Sequence, residues 1–244
     1  MTERGVVRRI LARAAANTEE LRPQDVCQAC VKGLDVQGAA LTLIATIGET
    51  RMGPTLASSD PVAARLEELQ FTLGEGPALQ AYETGEPVLV EDLQQVPYTP
   101  WPMFTEAVRD HLSGVGALFV FPLQLGAVRL GTLSLYRTEA GRIGAEVLGE
   151  ALLAAEAVTL TMSGYLMADP PNTVADRWFE QASDRRVVVY QATGMLMQQL
   201  GVGVSEAFVR LRARAFADDR PVADLAQEVL DGKLHLNNNS SPEE

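Results

Sequence analysis

Six arginines in the final third of the chain are the residues best suited to contact another molecule. They are Arg185, Arg186, Arg210, Arg212, Arg214 and Arg220. A guanidinium group offers fixed hydrogen-bond donors to phosphate and can stack on an unpaired base. The same arginines could instead form ion pairs with Glu206, Asp218 and Asp219 on a solvated helix face. Residue type alone leaves both interpretations open.

Two shorter patterns resemble reactive sites but lack what such sites require. Cys27 and Cys30 have the spacing of half a zinc site, yet zinc takes four ligands and the chain has no further cysteine. Gly74 to Pro77 lacks the Gly-Lys-Ser/Thr of a phosphate-binding loop, so it predicts a tight connection before a helix. We therefore predict buried cysteines, no metal, no cofactor and no catalytic residue, and hence a protein that is not an enzyme.

Aromatic residues of the first two thirds of the chain form a candidate ligand pocket. They are Phe71, Tyr98, Trp101, Phe104, Phe119 and Tyr136. They could line a cavity between a sheet and the loops that cross it. They could equally fill the core against the sheet, which is common for aromatic side chains.

Charge and composition indicate a folded cytoplasmic protein with two unlike parts. The net charge is −12, but residues 1–183 carry 13 basic and 23 acidic residues, while residues 184–236 carry seven of each. The acidic excess therefore lies outside the arginine-bearing segment. Two cysteines suit a reducing compartment. No apolar run is long enough to span a membrane, and the first twenty residues lack the features of a signal peptide.

The pattern of apolar residues predicts a mixed α and β region followed by three helices. Helices are predicted at 4–16, after Pro23, at 61–69 and at 143–167, and a strand at 39–46. Residues 71–92 are predicted to form a loop, a short helix and a strand, and residues 96–104 a loop that leads into a short helix up to His111. Two further strands are predicted within 116–137, with a turn between them at Leu125–Gly126. The prolines of 169–172 end this region.

Three helices are predicted between Ser183 and Leu230, each with one apolar face. The first ends at Leu200, the second begins near Ser205 and the third begins at Pro221. The apolar positions are Val189, Ala192, Leu196 and Leu200, then Phe208, Leu211 and Ala215, then Val222, Leu225, Ala226 and Val229. Because no such helix buries its apolar face alone, we expect a small bundle.

This segment resembles the ANTAR domain, a three-helix RNA-binding module of bacterial transcription antiterminators. The matching residues are Arg186, Val189, Gln191, Ala192, Gly194, Leu196 and Met197, then Glu206, Ala207, Phe208, Leu211 and Arg212, then Arg220, Val222, Asp224, Leu225 and Ala226. The resemblance implies that the six arginines meet RNA phosphates and that Gln191 and Thr193 reach bases. The family usually has lysine where this chain has Thr193, and often basic residues at Pro221 and Ala223.

The preceding region resembles a GAF domain, a sensor fold built on an antiparallel sheet. The resemblance lies in FTLGEGPALQAYETGEPVLVED at 71–92, in FPLQLGAVRLGTLSLYR at 121–137, and in the order of the elements. It implies a small-molecule cavity between the sheet and the crossing loops. A GAF domain followed by an ANTAR domain is an architecture of actinobacterial regulators.

We therefore expect an α+β GAF sensor domain at 1–168, a linker and helical entry at 169–182, an all-α ANTAR domain at 183–236 and a disordered tail at 237–244. We expect a cytoplasmic regulator in which the GAF domain senses a small molecule or another signal. The GAF domain would control the binding of the ANTAR domain to RNA stem-loops in nascent transcripts, and that binding would prevent transcription termination.

We also expect a homodimer whose interface is formed by the helices at 4–16, 143–167 and 174–200, and we expect no membrane contact. The alternatives are a DNA-binding regulator and an enzyme that acts on a small molecule through the cysteine pair.

Overall fold

The computed structural model describes residues 22–47, 50–95, 99–167, 184–218 and 220–236. We call residues 22–167 the N-terminal domain and residues 184–236 the C-terminal bundle. The expected helix at 4–16, the linker at 169–182 and the tail at 237–244 lie outside the described residues. Within these described ranges, no helix combines the length and the apolar character needed to cross a bilayer.

The N-terminal domain is organised around an antiparallel sheet. Its strands are β1 (Gly38–Leu43), β4 (Thr55–Ser58), β5 (Val88–Val90), β6 (Ala117–Leu125) and β7 (Val128–Arg137), in the spatial order β4-β1-β7-β6-β5. The short strands β2 (Ala45–Ile47) and β3 (Thr50–Met52) pair separately. The predicted hairpin is confirmed, because Leu125 pairs with Val128 across a turn that contains Gly126 at φ 58°.

Five helices cover this sheet: α1 (Pro23–Gly33), α2 (Pro61–Leu73), α3 (Pro77–Thr84), α4 (Pro102–His111) and α5 (Ala145–Met167). Proline occupies the first turn of the first four, where a missing amide hydrogen costs nothing. Asp60 caps α2 by accepting from the amides of Val62 at 2.8 Å and Ala63 at 3.0 Å.

Two of the predicted boundaries in this region were wrong. Helix α2 runs to Leu73, four residues beyond the predicted end, and Gly74 terminates it in the left-handed conformation. The loop predicted up to Phe104 ends at Trp101, because Pro102 begins α4. The Glu75 carboxylate accepts from the Phe104 amide at 2.9 Å, which satisfies one of the first-turn donors of α4.

Each face of the sheet is covered by its own hydrophobic core. Helices α1 and α5 pack over one face with Leu41, Phe119 and Phe121, and helices α2 to α4 pack over the other with Leu118 and Val120. Successive residues of a strand point to opposite faces, so neighbouring positions of β6 serve different cores. A sheet buried on both sides explains the continuous apolar runs in β1, β6 and β7.

The C-terminal bundle consists of α6 (Asp184–Leu200), α7 (Val204–Ala217) and α8 (Val222–Leu230). The predicted apolar faces are confirmed: all eleven positions named above are buried in one shared core. Phe71 of the N-terminal domain belongs to this core as well. The bundle and the domain are therefore packed together.

Ala192 lies at the centre of the bundle, where its side chain is fully buried. We expect Ala192→Asp to destabilise the bundle by on the order of 3–5 kcal/mol, because it buries an unpaired charge at a helix contact. Thermal denaturation followed by circular dichroism, with hydrogen exchange across α6 to α8, measures this effect. Gln191→Asp is the control, because Gln191 is next to Ala192 in the sequence but its side chain is exposed. Equal stability of the two variants would contradict a buried contact at Ala192.

Candidate nucleic-acid interface

Three arginines of the bundle lie at its surface in ion pairs. Arg210 contacts Glu206 at 2.8 Å, Arg214 contacts Asp218 at 2.7 Å, and Arg220 contacts Glu228 at 2.6 Å. Hydrogen bonding to Glu228 raises the pKa of Arg220 above its ordinary value. Exposed pairs of this kind contribute little net stability, so a phosphate group can compete for the same guanidinium groups.

Arg212 differs from these three because it contacts the N-terminal domain. Its Nε donates to the backbone oxygen of Thr72 at 2.8 Å, and its guanidinium carbon lies 5.2 Å from the centre of the Phe208 ring. Burial lowers its pKa to about 10, an effect that the nearby charge of Glu75 opposes. In this arrangement Arg212 is occupied by protein groups.

The remaining predicted RNA contacts lie on α6 and differ in exposure. Gln191 is exposed, whereas Thr193 is 1% exposed and donates from Oγ1 to the Val189 carbonyl at 2.7 Å. Thr193 therefore faces the interior and not the bundle surface. Arg185 and Arg186 occupy the first turn of α6, and their side chains lie outside the described part of the structure.

A groove that is open to solvent runs between the N-terminal domain and the bundle. Arg65 of α2 and His111 of α4 line one side, and Phe216 and Arg220 line the other. More than half of the Phe216 side chain is exposed. The sequence analysis assigned no role to Phe216, because it is not one of the predicted apolar positions Phe208, Leu211 and Ala215 of α7.

A second concavity lies inside the N-terminal domain between the sheet end and α2. We call it the α2 pocket; its lining includes Thr42, Glu67, Gln70, Phe71 and Gly74. The Glu67 carboxylate accepts from Thr42 Oγ1 at 2.6 Å and from Gln70 Nε2 at 3.2 Å. The Glu67 side chain is buried within this hydrogen-bonded set.

The six aromatic residues predicted to form one ligand pocket are not brought together. Trp101 and Phe104 pack edge to face with ring centres 6.0 Å apart in the core over helices α2 to α4. Phe119 lies on the opposite face of the sheet. Only Phe71 lines the α2 pocket, and Tyr98 lies outside the described residues.

Tyr136 belongs to the same core as Trp101 and serves a structural contact. Its hydroxyl donates to Asp60 Oδ1 at 3.1 Å, the oxygen that also caps α2. Burial raises the pKa of Tyr136 to about 12, and the neighbouring Asp60 charge acts in the same direction. The hydroxyl therefore remains protonated and anchors α2 to β7.

The cysteine pair lies inside α1, as predicted, and both side chains are fully buried. Burial raises the pKa of both thiols, that of Cys30 to about 12. A thiol that stays protonated is a poor nucleophile and a poor metal ligand. Across the part of the chain that the structure describes, no three acidic, histidine or cysteine side chains are grouped as a metal site would require.

The polar members of the α2 pocket were missed by the sequence analysis. Glu67 and Gln70 lie three residues apart on α2, between the apolar residues Leu66, Leu69 and Phe71. A carboxylate and an amide inside an apolar helix face are the signal that could have indicated a buried polar site. Thr42 of β1 carries no such signal, because threonine is common in exposed and buried strands alike.

Comparison with known proteins identifies both parts of the chain. A sequence model of the GAF domain matches residues 22–160, and a model of the ANTAR domain matches residues 179–230. No curated protein sequence matches the chain.

Solved structures show the same N-terminal fold. The GAF domain of a phosphoenolpyruvate-protein phosphotransferase from Coxiella burnetii is 17% identical, with a TM-score of 0.51, over 67% of this chain and 94% of that one. The GAF domain of an Acinetobacter phosphoenolpyruvate-protein phosphotransferase is 10% identical over 68% and 96%, with a TM-score of 0.47. At such identities the first similarity supports the fold alone.

The GAF model covers more than half of the chain, and its matched residues contain the five-stranded sheet with its helices. The ANTAR model covers the three helices of the bundle, and ANTAR is an RNA-binding antitermination domain. The chain therefore belongs to the GAF family and joins its GAF domain to an ANTAR domain, which is the arrangement of a signal-sensing regulator with an RNA-binding output.

Proposed function

We propose that this protein is a cytoplasmic antiterminator: its ANTAR domain binds stem-loops in a nascent transcript and prevents a terminator from forming, under the control of its GAF domain. The observation that carries the proposal is the burial of the complete ANTAR apolar pattern in one three-helix core. Gln191, Arg210 and Arg214 of the same helices lie outside this core.

The proposed RNA face consists of the exposed side of the bundle. Arg210, Arg214 and Arg220 supply guanidinium groups there, and Gln191 on α6 supplies an amide that can pair with a base edge. RNA phosphates would replace Glu206, Asp218 and Glu228 as the partners of these arginines. Because the bundle carries no net charge, binding must rest on local contacts and should be sensitive to salt.

The proposed sensory site is the α2 pocket. It combines apolar walls with the buried carboxylate of Glu67 and the amide of Gln70, so a small molecule that widens it would need a hydrogen-bonding group facing them. Phe71 and Gly74 separate this pocket from the ANTAR domain. A signal at the pocket would therefore act next to the domain that it controls.

A homodimer would bring two ANTAR domains to two stem-loops. Helix α5 leaves Leu152, Leu153 and Leu160 exposed by 43%, 49% and 51%. These residues lie on a helix whose other face is buried against the sheet, so a second copy of α5 is a suitable partner for them.

A DNA-binding regulator is the second candidate function. Helix α8 would be the recognition helix of a helix-turn-helix, but its charged residues are Asp224 and Glu228. Acidic side chains are poorly suited to the phosphate-lined major groove. An enzyme that uses the cysteine pair is disfavoured by the buried, protonated thiols of α1.

The first test of the RNA face is the salt dependence of binding to a tandem stem-loop RNA that overlaps a terminator. We expect measurable affinity at low salt, and we expect Arg214→Gln to reduce the slope of log affinity against log salt by roughly 0.7 to 0.9. Filter binding at three or more salt concentrations measures it, with Arg142→Gln in the GAF domain as the matched loss of an exposed charge. Tighter binding to a DNA duplex of the same sequence would favour the second candidate.

The second test compares two positions of α6. Gln191→Lys should steepen the same slope by roughly 0.7 to 0.9, because it adds one cation to the exposed face. Thr193→Lys should leave the slope unchanged and lower the melting temperature, because its side chain replaces a buried hydroxyl bonded to Val189. A steeper slope with unchanged melting for Thr193→Lys would place position 193 on the RNA face instead.

The third test concerns the dimer. Leu160→Glu should shift the protein from dimer to monomer at micromolar concentration, because it places a charge in the proposed dimer interface on α5. Sedimentation velocity measures the change, and Leu125→Glu at the exposed hairpin tip is the control. A dimer that persists in Leu160→Glu would exclude this face of α5.

A further inference from the structure

We infer that the contact between α2 of the GAF domain and α7 of the ANTAR domain is inhibitory: the docked arrangement withholds Arg212 from RNA, and RNA binding requires the two domains to separate there. This inference rests on the proposed function and adds its regulation. We call the contact of Phe71, Thr72 and Gly74 with Phe208 and Arg212 the docking contact.

The apolar half of the docking contact is Phe71, a residue of the GAF domain whose side chain is buried in the core of the ANTAR bundle. Phe71 is 8% exposed, and its ring centre lies 5.4 Å from that of Phe208. It is grouped with the bundle core and with neither core of its own sheet. Phe71 therefore contributes mainly to holding the two domains together, and its removal should spare the GAF fold.

The polar half of the docking contact is made by the guanidinium group of Arg212. Arg212 donates to the Thr72 carbonyl and lies over the Phe208 ring, so its Nε and one face of its guanidinium are used within the protein. A guanidinium group binds phosphate most strongly through two donors at once, and docking engages Nε and leaves the group only partly exposed. Docking and phosphate binding therefore compete for one side chain.

The local backbone is shaped to admit this arginine. Gly74 ends α2 in the left-handed conformation at φ 70°, and a Cβ atom at this position would collide with the guanidinium of Arg212. Any other residue at this position would strain the backbone and displace the Arg212 guanidinium from its present place. Gly74 therefore serves both the termination of α2 and the close approach of Arg212.

The docking contact also borders the α2 pocket, since Phe71 and Gly74 line both. A change in the last turn of α2 must therefore move the surface on which Phe208 and Arg212 rest. If only undocked molecules expose Arg212, the measured affinity for RNA falls in proportion to the undocked fraction. The α2 pocket and the docking contact are therefore adjacent.

The experiment opens the docking contact from the GAF side and leaves the RNA face unaltered. Gly74→Ala is the main variant, and Gly85→Ala is its matched control, because Gly85 ends α3 in the same conformation at φ 73° and contacts Gln124 and Arg129 of its own domain. Phe71→Ala is a second way to open the contact, without backbone strain. The full-length protein is used throughout.

Two readouts are taken on each protein: the radius of gyration from small-angle X-ray scattering and the affinity for the tandem stem-loop RNA at low salt. We expect both opening variants to expand and to bind RNA at least about fivefold more tightly than wild type, with Gly85→Ala unchanged. Adding Arg212→Gln to Gly74→Ala should return the affinity towards the wild-type value, because the released arginine is then missing.

The remaining outcomes overturn the inference and separate it from the proposed function. Expansion without tighter binding, while wild type binds RNA, means that docking does not inhibit. Unchanged dimensions in both opening variants mean that these residues do not hold the domains together. An absence of RNA binding in every protein, including the expanded ones, contradicts the proposed function itself and removes the inference with it.

Discussion

Helix α2 is the element on which the rest of the structure depends, because it is buried on three sides at once. Leu66 and Leu69 pack over the sheet, Gln70 borders the α2 pocket, and Phe71 enters the core of the ANTAR bundle. Side chains spaced by about 100° around a helix can meet three partners only if the helix is fixed in rotation. Asp60 fixes its start through two amides and the Tyr136 hydroxyl. The orientation of α2 therefore sets the sheet packing, the pocket and the domain contact together.

The fold could be predicted from the sequence where periodicity and packing agree. The α6 to α8 faces repeat at helical spacing, and all their predicted positions are buried in one core. The ends of α2 and α4 were misplaced because single turns beyond a predicted boundary carry too few residues for a periodic signal. The aromatic residues were grouped by type, although alternation along β6 separates Phe119 from the core that contains Trp101. The docking contact could not be predicted, since Phe71 and Phe208 are 137 positions apart and nothing local distinguishes an interdomain residue from a core residue.

The electrostatics of the ANTAR bundle explain how an acidic protein can present a surface for RNA. Acidic residues outnumber basic ones in residues 1–183 and balance them in residues 184–236. Within the bundle the balance is local, since Glu206, Asp218 and Glu228 each lie beside one arginine. These pairs keep the guanidinium groups ordered and cost little to exchange for phosphates. The arrangement favours contacts at defined positions over long-range attraction, which suits recognition of a shaped RNA.

The docking contact has the physical character of a reversible one. Its apolar part places the Phe71 ring centre 5.4 Å from that of Phe208. Its polar part is the partly buried Arg212, whose lowered pKa reflects the cost of removing the charge from water. The nearby Glu75 charge, one hydrogen bond to Thr72 and the Phe208 ring offset that cost. Removing the Arg212 charge from water opposes docking, whereas the contact of Phe71 with Phe208 favours it. A change in the last turn of α2 that weakens either contact therefore shifts the balance between docked and separated domains.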